Sequence, residues 1–416
     1  LVKLFIEQKG GTIDSFNDAL KAISHQAKGP KIKRPSHIFL VVGESYSQPY
    51  FDPAFADLHI ADEGKKLMND VHTASIHTAL SSGIISRPSI VGLMLGIFDA
   101  GFELNERESF WQGTLPTSLP IQLRKLGYET NYWYGGSLSH GNFNHFAPAC
   151  GFNHSYSGTD ICGAKAPRSW VGVYDHVFLN KVADMIQERS DDVPQFHFVY
   201  TTSNHGPYKM PLKDLGFDAK KIMNVQPDVL KEKIIQKALG TFWYADRAIN
   251  DFIQKMKEAY PDSLFIVTGD HGYKCPELQH TSFMRREYTF RELHSPVLMF
   301  HHRELDKDSL AGNRIGSHMN ILPTLFELIA PAGFTYYSLF ESLIESVTSC
   351  VTPHHWVTMD SIGGCGETYY QSLTATSGAE VLHGEAPYED ICAAEKSLTA
   401  YLLQRPELLR PVDTWL

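Results

Sequence analysis

The sequence predicts an α/β fold in which a mixed or mainly parallel sheet is covered by helices. Short apolar, β-branched runs alternate along the chain with longer amphipathic segments. Two of these runs, ending at Val42 and at Thr268, are each followed by one Gly and then a carboxylate. The chain has 416 residues, 43% hydrophobic and 20% charged. That is enough for one large domain, or for such a domain with a small appendage. The expected sheet has about eight or more strands, with helices on both faces and Glu44 and Asp270 facing one cleft at its C-terminal edge.

The elements follow in order. Residues Leu1 to Arg34 are amphipathic and contain lysines, and Pro30 and Pro35 close the segment. It reads as a lead-in helix and linker outside the core. His37 to Val42 reads as a buried parallel strand, ended by Gly43-Glu44-Ser45. Between His77 and Phe98, Pro88 suits the first turn of a helix, which puts Ser86 at or just before a helix N-terminus. Leu119 to Leu126 predicts a helix stopped by Gly127, and Thr130 to Tyr134 a strand that turns at Gly135-Gly136. Phe196 to Thr201 is a strand leading into Ser203-Asn204-His205-Gly206-Pro207. Ile235 to Glu258 is a long amphipathic helix. Ser263 to Thr268 is a second buried strand, ended by Gly269-Asp270-His271-Gly272, and Val297 to His301 is another. Asn320 to Ile329 is helical with Pro323 early in it. The Gly363-Gly364 turn and the polar stretch to Glu385 suggest a smaller terminal subdomain, with strands around Trp356 to Met359 and Thr368 to Thr374.

Composition narrows the partners. The formal charge is -10 and no run of Lys and Arg stands out, which argues against nucleic acid. No stretch of eighteen or more apolar residues exists, so no membrane span is expected. The chain begins at Leu1 without a signal-peptide pattern, which suggests that a segment upstream has been removed. Six cysteines are present. Cys150 and Cys162 either close a short disulfide in a Gly- and Asn-containing loop or stay as free thiols.

The strand ends carry the chemistry. Glu44, Asp270 and His271, with the hydroxyl of Ser86, make a donor set of three oxygens and one nitrogen suited to one divalent ion, Mn or Zn. Such an ion lowers the hydroxyl pKa, and a helix N-terminus under Ser86 favours a phosphate. Taken singly, each residue has a plainer reading: a loop carboxylate, a helix start before Pro, one of twenty histidines.

Taken in order, these residues resemble the lipoteichoic acid synthase, phosphoglycerol transferase and phosphoethanolamine transferase branch of the alkaline phosphatase–sulfatase superfamily. The likeness runs from about His37 to Leu328. Val42-Gly43-Glu44-Ser45 resembles the first metal-ligand strand, and Gly269-Asp270-His271-Gly272 the second. Gly83-Ile84-Ile85-Ser86, with Leu93 and Gly96, resembles the nucleophile helix. Tyr134-Gly135-Gly136, Asn142 and Gly151-Phe152 resemble the head-group loop, and Ser203 to Tyr208 the loop of the substrate histidine. His294-Ser295-Pro296 and Pro323-Thr324-Leu325 resemble later landmarks. The branch normally has Thr where Ser86 stands, and Ser89 is the alternative nucleophile. Ser86-Arg87-Pro88-Ser89 also resembles the sulfatase signature, but Ile90 stands where that signature has Arg.

The resemblance implies an alkaline phosphatase-like (sulfatase-like) fold: a lead-in over residues 1–35, a catalytic domain over 36–345 and a C-terminal subdomain over 346–416. It implies transfer of phosphoglycerol or phosphoethanolamine from a phospholipid donor to an envelope glycan or lipid acceptor, through a phosphoserine at Ser86. The metal ligands would be Glu44, Ser86, Asp270 and His271. Substrate would meet His205, Tyr134, Gly136, Asn142, His140 and His294. The setting would be the extracytoplasmic face of a bacterial membrane, with anchoring helices upstream of Leu1. The alternatives are a soluble phosphodiesterase or sulfatase-type hydrolase, and a catalytically silent binding module.

Overall fold

The computed structural model describes residues 20–189, 192–225, 228–272, 288–374, 381–384, 388–404 and 409–416. In chain order the strands of the first half are β1 (Ser24–Gln26), β2 (His37–Gly43), β3 (Thr73–Ser75), β4 (Thr78–Leu80), β5 (Glu129–Tyr134), β6 (His154–Ser157) and β7 (Gln195–Tyr200). Those of the second half are β8 (Leu264–Gly269), β9 (Leu298–His301), β10 (Ile315–Ser317), β11 (Thr335–Tyr337), β12 (Ser349–Val351), β13 (His355–Thr358), β14 (Ser361–Gly364), β15 (Tyr369–Ser372) and β16 (Val381–His383).

Seven strands form the central sheet, in the order β3-β9-β8-β2-β7-β5-β6. From β8 to β6 every pairing is parallel, and β9 runs antiparallel to both its neighbours. The mainly parallel sheet is therefore as expected, with seven strands among the described residues where eight or more were predicted. Buried on both faces, β2, β7 and β8 are apolar almost throughout. Period-two alternation divides β2 between two cores. Ile38, Leu40 and Val42 pack with the helices Ser86–Leu95, Leu119–Lys125 and Ile321–Ile329. Phe39 and Val41 pack with Asp175–Gln187 and Lys233–Ala259 on the opposite face.

The β2–β8 register places Gly43 opposite Gly269, so the next residues, Glu44 and Asp270, leave the sheet side by side. Both glycines are needed for packing. A Cβ on Gly269 would lie 2.2 Å from the Tyr46 carbonyl oxygen, and one on Gly43 would lie 2.7 Å from the Tyr46 Cβ. Beyond the central sheet, β12 to β16 form a five-stranded antiparallel sheet in sequential order. The helix Glu389–Leu403 follows it, and a Cys365–Cys392 disulfide joins the two.

One expectation is corrected, and one open alternative is decided. The lead-in is not outside the core: β1 pairs with β11, and Ile23, Ala27 and Ile32 are buried. Residues 1–19 of that segment lie outside the described residues, as does Cys275. Cys150 and Cys162 are free thiols. Between them β6 joins the sheet edge, so Cys150 packs in one core while Cys162 lies against the other.

Candidate active site

Glu44, Asp270 and His271 are buried together, and one potential ligand atom from each lies within 4.8 Å of the others. Each donor is oriented by a second contact. Asp270 Oδ1 accepts the N–H groups of Ser45 at 2.7 Å and His271 at 2.9 Å, which leaves Oδ2 for the site. The His271 Nδ1 donates to the Gly272 carbonyl at 2.6 Å, so the Nε2 lone pair faces inward. Glu44 Oε1 accepts from Ser45 Oγ at 3.0 Å. Burial, and then the Asp270 charge, push the Glu44 carboxyl well above its ordinary range. Two buried acids and an imidazole are mutually costly without a cation, and as ligand types they fit a divalent ion.

Ser86 completes this set. It is the first residue of the Ser86–Leu95 helix, and Ile85 occupies the cap position. Its Oγ lies 3.3 Å from Glu44 Oε2 and 3.2 Å from His271 Nε2. Ser89 lies one turn on but is fully buried, and its hydroxyl donates to the Asp270 backbone carbonyl. Of the two serines, only Ser86 lines the adjoining cavity.

That cavity has a volume of about 620 Å³, and Tyr134, His140 and His205 line it as well. Tyr134 stacks on Tyr200 with ring centroids 5.2 Å apart. The His205 loop is held from two sides. Asp175 Oδ1 accepts the Thr202 and Ser203 N–H groups, each at 3.1 Å, and Asn204 Nδ2 donates to the Glu44 carbonyl at 3.2 Å. Gly136 is set back from the cavity: a Cβ there would lie 2.7 Å from the Tyr134 ring, so it serves Tyr134's packing. Asn142 donates to Glu106, which lines the cavity, and so acts at one remove. His294 is elsewhere, lining a separate cavity.

Three contributors, Tyr200, Trp170 and His318, escaped the motifs. The Tyr200 hydroxyl lies 3.0 Å from both Glu44 Oε2 and Asp270 Oδ2, bridging the two acids. The only hint in the sequence is its place at the end of an apolar strand. Tyr200→Phe should weaken the affinity for Mn or Zn about 10- to 100-fold, the usual cost of losing an orienting partner, in a competition titration with a chromophoric chelator. Trp170 meets His205 edge to face at 5.1 Å. Arg87, from the Ser86-Arg87-Pro88-Ser89 motif, is the one Lys or Arg among the described lining residues and pairs with Glu106 at 3.4 Å.

His318 is the third. Its Nε2 donates to the Gly269 carbonyl at 3.0 Å, and its Nδ1 accepts the Ser82 N–H at 3.2 Å, so it joins the end of β8 to the approach of the Ser86 helix. Burial pushes its pKa from 6.5 down to about 4. Between these values the unfolded chain takes up a proton that the folded ring refuses. Its stabilising contribution is therefore full above pH 6.5 and lost as the pH falls toward 4, about 3 kcal/mol for this ring. Melting temperatures should fall over that window, and His318→Gln should make the fall shallower. His77 and His301, also pushed down to about 4, keep part of the dependence.

Comparison with known proteins agrees with this fold. The sulfatase family matches residues 36–330. A protein in the alkaline phosphatase superfamily from Vibrio parahaemolyticus superposes with a TM-score of 0.71 at 17% identity, covering 100% of this chain and 96% of its own. The lipoteichoic acid synthase LtaP from Listeria monocytogenes gives 0.67 at 18% identity, with 99% of each chain covered. The C-terminal periplasmic domain of EcEptC from Escherichia coli, in complex with Zn, gives 0.53 at 16% identity, covering 78% and 91%. At such identities these likenesses carry the fold, and the family match adds descent. Since that match takes in β2, β8 and most of the chain, this protein belongs to the sulfatase family.

Proposed function

We propose that this protein transfers a phospho-linked head group, phosphoglycerol or phosphoethanolamine, from a phospholipid donor to an envelope glycan or lipid acceptor. The observation that carries this reading is the position of Ser86. Its hydroxyl starts a helix, touches Glu44 and His271, and opens onto a cavity. Glu44, Asp270, His271 and Ser86 would hold one divalent ion, Mn or Zn. Such an ion supplies a lowered hydroxyl pKa and offsets negative charge on the phosphoryl oxygens.

The chain's own groups do the rest. Ser86 Oγ attacks phosphorus, the bond from phosphorus to the lipid oxygen breaks, and the lipid alcohol leaves after taking a proton. The first N–H groups of the Ser86–Leu95 helix steady the phosphoryl oxygens. His205, on the cavity wall, binds the phosphoryl group or supplies the departing oxygen's proton. An acceptor hydroxyl then attacks phosphorus and the Ser86–phosphorus bond breaks. With water as acceptor the same residues hydrolyse a phosphodiester.

No helix among the described residues is long and apolar enough to cross a membrane. The reading places the domain on the extracytoplasmic face of a bacterial membrane, beside its lipid donor. Solved relatives include a periplasmic domain and a lipoteichoic acid synthase. The test is mass spectrometry of the metal-loaded protein after exposure to phosphatidylglycerol and to phosphatidylethanolamine. One head-group adduct on Ser86 is expected, and its mass names the donor. No adduct from either lipid, with turnover surviving in Ser86→Ala, would reject the reading.

A further inference from the structure

The cavity that holds His294 lies between the catalytic half and the C-terminal sheet. Its volume is about 650 Å³, comparable to the active-site cavity. One wall is the short helix Phe290–His294, and the other comes from β13, β15 and the β14–β15 turn. We propose that this cavity is a carbohydrate subsite, holding a neutral sugar of the acceptor. The proposal rests on the transferase reading above and deepens it.

The lining chemistry selects the ligand class. Aromatic rings line the cavity from both walls, Phe290 on the helix and Tyr369 on the sheet. Tyr369 is 45% exposed, so part of its ring is open to a ligand. Imidazoles stand among them: His294 and His355 have ring centroids 4.2 Å apart, and His294 lies 4.4 Å from Phe290. Flat apolar faces beside groups that donate and accept hydrogen bonds suit a pyranose, which offers a C–H face and a rim of hydroxyls. Among the described lining residues there is no Lys or Arg, and Glu367 adds a negative group, so a phosphate or anionic polymer is disfavoured. An acyl chain would be poorly served by three histidines and a carboxylate.

The walls are held in place before any ligand arrives. Arg291, inside the helix, pairs with Asp52 and donates to Thr78 Oγ1 at 2.9 Å, while its own N–H donates to Gln371 Oε1 at 2.9 Å. A capping box between Thr289 and Glu292 fixes the helix start. On the sheet side the Cys365–Cys392 disulfide holds the turn that carries Glu367. The subsite also touches the catalytic segment. A Cβ on Gly272, the residue after His271, would lie 2.2 Å from the Leu293 carbonyl oxygen and 2.7 Å from the His294 Cα. The loop that carries His271 thus rests directly on the helix that lines the cavity.

The experiment measures binding of cellobiose, maltose and chitobiose to the metal-loaded full chain by saturation-transfer NMR. Inorganic phosphate and dodecanoate are the competing probes. Reading it in the Ser86→Ala protein separates it from the transferase reading, whose failure would appear as turnover and not as lost sugar binding. At least one disaccharide should bind, with transfer strongest at ring C–H protons. Tyr369→Ala should weaken it about tenfold, as loss of an aromatic wall does, and Tyr369→Phe should restore it. His294→Ala, on the facing wall, gives a second reading should Tyr369→Ala melt early. The proposal is overturned if no disaccharide binds, if dodecanoate or phosphate binds there instead, or if binding is unchanged in both alanine variants.

Discussion

Ser86→Ala is expected to lower phosphodiester turnover by about 10⁴-fold or more while leaving the fold and the bound ion in place. The residue lies in the first helical turn and is not the cap, so its loss does not unravel the helix end. Water can occupy the position vacated by Oγ, and Glu44, Asp270 and His271 remain as ligands. Ser86→Thr should keep appreciable activity, because it restores the hydroxyl with only one added methyl. Ser89→Ala is the contrasting variant. Ser89 donates to the Asp270 carbonyl from a buried position. Its removal should cost about 1–3 kcal/mol of stability through the orphaned acceptor, yet leave the covalent step available. Steady-state kinetics on a nitrophenyl phosphodiester and a phospholipid, with melting curves on the same samples, check both. Normal turnover in Ser86→Ala would sink the covalent mechanism.

The second large effect concerns the ion. Asp270→Asn should lose it and nearly all activity, yet the ion-free variant should melt higher than ion-free wild type. The Asp270 Oδ1 accepts two backbone N–H groups, a role an amide oxygen keeps. The variant removes one of two buried charges that repel across the Tyr200 hydroxyl. Wild type should regain the advantage with metal, gaining about 2.7 kcal/mol at a hundredfold excess over Kd, and the variant should gain nothing. His271→Ala should lose the ion as well, since no other imidazole belongs to the described cluster. Calorimetry with and without Mn or Zn, and elemental analysis of the purified proteins, read these outcomes. Full occupancy in both variants would refute the assignment of these ligands.

Much of the site was legible because it lies in short, local patterns. An apolar run, one Gly and a carboxylate mark a strand end, and this happens twice, at Glu44 and at Asp270. The strands β13 and β15 and the Pro-containing Ile321–Ile329 helix were legible for the same reason: their signals are turn residues and periodicity within a few positions. The lead-in was misjudged because its partner strand, β11, lies some three hundred residues away. The disulfide was missed because six cysteines admit fifteen full pairings, and spacing along the chain does not rank them.

The sequence by itself determined the kinds of donor at this site and the strand ends that present them, since both depend on neighbours in the chain. Tertiary structure alone decided which donors meet. The Gly43–Gly269 register brings two carboxylates together across 226 residues, and the Ser86 helix lays its first hydroxyl against them. The choice of Ser86 over Ser89 to line the cavity is likewise a matter of burial, as one helical turn separates an accessible hydroxyl from one bonded to backbone. Tyr200 and His318 became visible only in three dimensions, because a residue that orients another is defined by distance in space, on which local sequence carries no signal.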